Sequence, residues 1–235
     1  MTAGERVARV DWTSVARSLD DLGHALIPRL LTAAECRNVA SLWSQPDRFR
    51  SHVDMAQHRF GDGEYRYFAE PLPPIVDVLR REAYARLAPI ANRWSAVLGS
   101  RERFPDDLAG FVARCAAHGQ RRPTPLLLRY TAGGYNCLHQ DLYGAIAFPL
   151  QLTILLSRPD AEFTGGEILL VEQRPRAQSR GHAIVLAQGE AIVFPNRHRP
   201  VAGARGAYRV TVRHGVSDVR SGERRTLGII FHDAE

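Results

Sequence analysis

In the stretch Asn136-Cys137-Leu138-His139-Gln140-Asp141, an imidazole and a carboxylate stand two residues apart. On a β-strand, residues spaced by two face the same side. His139 and Asp141 would then supply two of the three side chains of a 2-His-1-carboxylate facial triad, which holds non-haem Fe(II) and leaves coordination positions open. The third ligand must be a histidine brought in by the fold. His214, in Arg213-His214-Gly215-Val216-Ser217, is the preferred candidate. His198 is the rival: it follows a strand ending at Phe194 and precedes Gly203-x-Arg205. The spacing alone says little, because His52-Val53-Asp54 repeats it, taken here as a coincidence.

The elements that must position these groups change character along the chain. Residues 11–22 carry Trp12, Val15, Leu19 and Leu22 on one helical face, and Gly23 stops the helix. A short apolar strand spans 24–31, and Thr32-Ala33-Ala34-Glu35 is a capping box opening a helix to about Trp43. Residues 45–72 are polar, basic and aromatic with turn glycines, which fits a loop or hairpin over a site or an ordinary surface hairpin. A long helix is expected over 74–98, kinked at Pro89, and another from Pro105 to about Ala117. From Pro123 about eight short strands follow, separated by turn residues, the pattern of a sandwich or jelly roll. The expectation is one α+β domain over 1–235: a mainly helical part (1–122) packed on a double-stranded β-helix (123–235).

Composition sets outer limits. The chain has 235 residues, 45% hydrophobic and 24% charged, ordinary for a globular protein. It has no apolar run of membrane-spanning length and no signal-peptide core near Met1, so a cytoplasmic location is expected. Cys36, Cys115 and Cys137 lack the spacing of a disulfide framework or zinc site and read as buried thiols. All 31 basic residues are arginine, and the net charge is +6. Residues 173–225 hold eleven arginines against Glu190, Asp218 and Glu223, a local excess of +8. Such an excess suits an anionic substrate or nucleic acid as partner, or a solvated surface.

Around the His-x-Asp pair, further phrases carry a resemblance. Arg129-Tyr130-Thr131-Ala132-Gly133-Gly134 delivers the chain to it, and Phe163-Thr164-Gly165-Gly166-Glu167 returns the chain into a strand. His214 is followed ten residues later by Arg224, with Thr226 on the same face. This order resembles the Fe(II)/2-oxoglutarate-dependent oxygenases over about 125–232. Asn136 to Gly144, Glu172-Gln173-Arg174-Pro175-Arg176, Gln178-Ser179-Arg180 and Leu227 to Ala234 extend the resemblance to a bacterial group predicted to act on alkylated nucleic acid, by analogy with AlkB-type dealkylases.

The resemblance implies Fe(II), 2-oxoglutarate and O2 as cofactors, with ascorbate helpful in vitro. It implies His139, Asp141 and His214 as metal ligands. Arg224 would take the far carboxylate of 2-oxoglutarate bidentately, with Thr226 and Tyr130 adding hydrogen bonds. Asn136, Gln140 and Tyr143 would lie near substrate or behind the ligands. Arg59, Tyr65, Tyr67 and Arg176 are candidates for contacting a flipped base and its phosphates. The implied reaction is hydroxylation or oxidative demethylation, with an alkylated DNA or RNA base as one substrate. A protein side chain or a small metabolite is the alternative, and a cupin-like sensor of metal or 2-oxo acid is the non-enzymatic one.

Overall fold

The computed structural model describes residues 1–204 and 206–235; Arg205, part of the motif after His198, lies outside the described residues. Six α-helices are each set by local signals. Helix α1 (Ala3–Arg9) starts at a Thr2/Glu5 capping box. Helix α2 (Trp12–Leu22) is capped by Asp11 and ends at Gly23, whose φ of 80° a side chain would resist. Helix α3 (Ala33–Ser41) begins at the expected Thr32/Glu35 box. Helix α4 (Met55–His58) is a single turn capped by Asp54. Helix α5 (Pro74–Val97) starts on a proline and continues through Pro89. Helix α6 (Leu108–Ala117) begins at Asp107 rather than Pro105. The Asp107 carboxylate caps the helix, while the Pro105 carbonyl accepts a hydrogen bond from the Tyr84 hydroxyl.

Among the described residues, fourteen strands form two antiparallel sheets. The larger sheet contains β1 (Ala25–Ile27), β2 (Phe49–Asp54), β4 (Glu64–Phe68), β5 (Leu126–Thr131), β7 (Leu150–Leu155), β11 (Ala191–Pro195) and β14 (Val219–Ile229), with β8 (Phe163–Gly165) paired to β14. Its order is β1-β11-β7-β14-β5-β4-β2. The smaller sheet contains β3 (Gly61–Asp62), β6 (Tyr135–His139), β9 (Ile168–Gln173), β10 (Arg180–Ile184) and β13 (Gly206–Val216), with β12 (His198–Gly203) paired to β13. Its order is β10-β9-β13-β6-β3.

Alternation along the strands divides the core. Leu127, Leu227, Ile229 and Phe231 face the helices, where they join Tyr84, Leu87, Phe111 and Phe148 in the largest apolar cluster. Tyr130, Ile168, Leu170, Ile192 and Phe194 form a second cluster that carries the cavity wall. Buried Arg80 ties α5 to the chain end: it donates to the Ile230 and Phe231 carbonyls and pairs with Asp233 at 2.6 Å. The two antiparallel sheets form a double-stranded β-helix with the helices packed on the larger sheet.

Several expectations are corrected. The strand over 24–31 shrinks to Ala25–Ile27, and Leu22 and Val97 are exposed at helix ends. Strand β12, which carries Pro200, was not among the expected strands; it pairs with β13 alone, where a missing N–H is tolerated. Cys36 and Cys115 are buried, but Cys137 is exposed, because β6 is covered only by the two-residue strand β3 on one side. The basic excess of 173–225 is partly buried or answered by acids just before the window. Arg199 forms a buried ion pair with Glu172, Arg224 is buried, and the exposed Arg220 meets Glu167 at 3.1 Å.

The Arg199–Glu172 pair joins β12 to β9, and Arg199 also donates to the Asp20 carbonyl of α2 at 2.8 Å. Removing one partner strands a buried charge, whereas an apolar pair of similar volume does not. Glu172→Gln should therefore lower the unfolding free energy by roughly 3–5 kcal/mol, and Glu172→Met with Arg199→Met should recover most of that loss. Denaturant titration of the three proteins measures the difference.

Candidate active site

The antiparallel register of β13 with β6 sets His214 opposite His139. Their rings lie 4.2 Å apart, tilted by 53°. A side chain at Gly215 would put its Cβ 2.6 Å from the Asn136 carbonyl oxygen, so glycine is what lets the strands close up here. Asp141 lies two residues beyond the end of β6, not on it. It still reaches the same point: its Oδ2 is 3.0 Å from His214 Nε2, and its Oδ1 is 3.6 Å from His139 Nε2. One ligand atom from each of the three residues falls within 4.8 Å of the others, a donor set that fits an iron site.

Neighbouring groups orient these side chains. His139 Nδ1 is 2.8 Å from the Cys137 carbonyl; donating there leaves Nε2 free to coordinate. The Tyr143 hydroxyl donates to Asp141 Oδ1 at 2.5 Å. The Gln151 amide lies 3.3 Å from His214 Nε2. Burial alone would raise the Asp141 pKa, but the charge of His214 and hydrogen bonds from both histidines hold it well below the usual carboxylate range. Burial also opposes protonation of His139, yet its hydrogen bond to Asp141 prevails and its pKa is raised. Burial and the neighbouring His139 charge lower that of His214.

The three residues open into a cavity of about 360 Å³ between the sheets. On β14, Arg224, Thr226, Gly228 and the following Ile230 line it, opposite Tyr130, Leu128 and Leu126 of β5. Arg224 is 2% exposed, and its Nε and Nη1 have no hydrogen-bond partner. Burial pulls its pKa down to about 10, still high enough for a charged guanidinium at neutral pH. A buried cation of this kind is costly unless an anion meets it. Gly166 keeps the position open: its φ is 65°, and a Cβ there would lie 2.6 Å from Arg224 Cδ. Tyr130 is fully buried, accepts a hydrogen bond from Asn136 at 3.2 Å, and is pushed up to about 12 by burial. Arg224 also borders a smaller cavity of about 230 Å³ walled by Phe163, Ile184 and Leu186.

Most of the expected site residues converge here. Tyr130, Asn136, Gln140, Tyr143, Tyr65, Tyr67 and Arg59 line the cavity with the His-Asp-His group, Arg224 and Thr226. Arg176 does not; it sits in the β9–β10 turn with a φ of 58°. His198 stands on β12 across from Thr211, outside the cavity lining, and His52 pairs with Glu64 instead. Sequence reasoning missed Gln151, Leu128, Ile168 and Phe194. Gln151 left a signal, as an amide within the apolar run Leu150–Leu156.

The family model described as "Oxygenase, catalysing oxidative methylation of damaged DNA" matches residues 63–234. Two uncharacterized proteins of Mycobacterium tuberculosis are each 52% identical over 167 residues, covering 71% of this chain and 72% of theirs. Among solved structures, a Pseudomonas putida prolyl-4-hydroxylase aligns with TM-score 0.56 at 14% identity, over 95% of this chain and 100% of its own. A 2OG-Fe(II) oxygenase family oxidoreductase from Burkholderia pseudomallei aligns with TM-score 0.55 at 18% identity, over 96% and 93%. At such identities the likeness is one of fold.

Arg224→Ala should raise the 2-oxoglutarate concentration needed for half-saturation by roughly 30- to 1,000-fold, the loss of a charge-assisted bidentate contact. Metal affinity should change much less; steady-state kinetics and metal titration read the two separately. In a matched pair, His214→Ala should lose Mn(II) binding by isothermal titration while His198→Ala keeps it.

Proposed function

Because the chain belongs to the oxygenase family whose model spans residues 63–234, we propose that it is an Fe(II)- and 2-oxoglutarate-dependent dioxygenase acting on an alkylated base in DNA or RNA. The observation that carries this reading is the buried, unpartnered Arg224 guanidinium in the same cavity as His139, Asp141 and His214. A facial triad accounts for a metal. An orphaned cation beside it accounts for a dianionic cosubstrate that also has to reach that metal.

In this reading His139, Asp141 and His214 hold Fe(II), and Arg224 and Thr226 hold the far carboxylate of 2-oxoglutarate. Bound iron supplies the O2-dependent redox chemistry in which 2-oxoglutarate loses CO2 to become succinate and a substrate C–H bond is oxidised. The protein orients and shields the reactants. Tyr143 fixes the Asp141 carboxylate, and the Cys137 carbonyl fixes the His139 ring. Tyr130 retains its own hydroxyl proton for donation into the cavity, since Asn136 is its donor. Leu128, Ile168 and Phe194 keep the walls dry. Oxidation of an N-methyl carbon gives a hydroxymethyl group that leaves as formaldehyde, so one O2 and one 2-oxoglutarate yield the repaired base, formaldehyde, succinate and CO2.

The exterior supplies candidate phosphate contacts. Arg59 is exposed at the cavity mouth, and Arg209 and Arg213 are exposed on β13. Among the described residues no helix, the 24-residue α5 included, is long and apolar enough to cross a membrane.

Methylated oligonucleotides should stimulate succinate and formaldehyde release in equal amounts, and their binding should weaken steeply with salt. Arg59→Gln should flatten the slope of log affinity against log salt by about one unit if Arg59 meets one phosphate. Succinate release unchanged by any oligonucleotide would remove nucleic acid from the reading and leave the 2-oxoglutarate chemistry standing.

A further inference from the structure

The cavity has two unlike ends. At one, Arg224, Thr226, Tyr130 and Asn136 gather around the orphaned guanidinium. At the other, Leu126, Leu128, Gly228 and Ile230 form an apolar floor, walled by Tyr65, Tyr67 and Tyr143. The Tyr65 and Tyr67 rings are edge-to-face at 5.4 Å, and Tyr67 and Tyr143 at 6.1 Å. Asp141 is the one carboxylate among the described residues lining the cavity, and it is already engaged by two histidines and the Tyr143 hydroxyl.

Tyr67, edge-to-face with both Tyr65 and Tyr143, resembles part of an aromatic cage, which elsewhere attracts methylated cations. Here the surroundings oppose a cation. The guanidinium of Arg50 sits over the Tyr67 ring, 4.5 Å from its centre, so that ring already serves one positive charge. Arg59 adds another at the mouth. No free carboxylate is present to offset the desolvation of an incoming positive group.

Resting on the assignment above, we infer that this end admits an electrically neutral alkylated base, stacked among Tyr65, Tyr67 and Tyr143, and excludes bases that alkylation leaves positively charged at neutral pH. An exocyclic N-methyl purine or an N3-methylated pyrimidinedione is of the admitted class. A ring-N-methylated adenine or cytosine, cationic at neutral pH, is of the excluded class.

The test measures binding to the whole protein loaded with Mn(II) and 2-oxoglutarate. Probes are N6-methyladenine and N3-methylthymine against N1-methyladenine and N3-methylcytosine, each as the free nucleoside and within one single-stranded sequence. Neutral nucleosides should bind at least about tenfold more tightly than cationic ones, a lower bound for burying a charge without a partner. Leu128→Glu, which places a carboxylate on the floor, should reverse the preference, and Leu128→Gln should not. Equal or tighter binding of the cationic nucleosides, or no binding by either set, overturns the inference. The strands test the other assignment separately. If they bind no better than their nucleosides and, with Fe(II) and O2 in place of Mn(II), stimulate no succinate release, nucleic acid fails as substrate while the charge preference is still read from the nucleosides.

Discussion

Two histidines from distant parts of the chain meet because β13 pairs with β6 in a register that sets His214 across from His139. Side chains on a strand alternate with a period of two, so a slip of one residue would turn either imidazole to the opposite face. Several features hold this register. Strand β13 pairs with β12 over residues 206–211, with β9 over 211–216 and with β6 at His214 and Val216, so a slip would break all three sets of bonds. Valines 210 and 212 are buried on the same side as His214. The irregularity between His214 and Val216 then lets the chain turn toward β14 and carry Arg224 into the same cavity.

The charges around the site are arranged by how they are answered. Arg199 and Arg80 are buried and satisfied by Glu172 and Asp233, and they fasten the helices to the sheets. Arg224 is equally buried and is not satisfied by the protein. The folded chain bears that cost at a place where a ligand of opposite sign relieves it, so ligand binding and stability are linked there.

Much of this was legible in the sequence, for reasons tied to particular residues. His139 and Asp141 drew notice by type and spacing, and the family resemblance then singled out His214, Arg224 and Thr226; the structure brings all five to one cavity. Caps were legible too: Thr32/Glu35 and Gly23 act locally, and local signals survive folding. What was not legible depended on contacts between distant segments. The excess of arginine over 173–225 looked like a surface stripe because Glu167 and Glu172, which answer Arg220 and Arg199, lie just before that window. Strand β12, which carries Pro200, was missed; the position beside β13 tolerates the proline. The apolar floor of Leu126, Leu128 and Ile230 read as ordinary core, since nothing in a leucine reveals that the space before it is empty.

Strand β14 places Arg224, Thr226, Gly228 and the adjoining Ile230 on the cavity side and Leu227 and Ile229 on the helix side. The residue next to Arg224 is Arg225. If a lineage lost one codon in the turn before this strand, Arg225 would move into the place of Arg224 and a guanidinium would still face the cavity. Leu227 and Ile229 would follow it inward, removing the hydroxyl and filling the gap that Gly228 leaves. Descendants of such a deletion would keep a guanidinium facing the cavity while the space beside it closed, so that guanidinium alone is a poor guide to which relatives share a substrate.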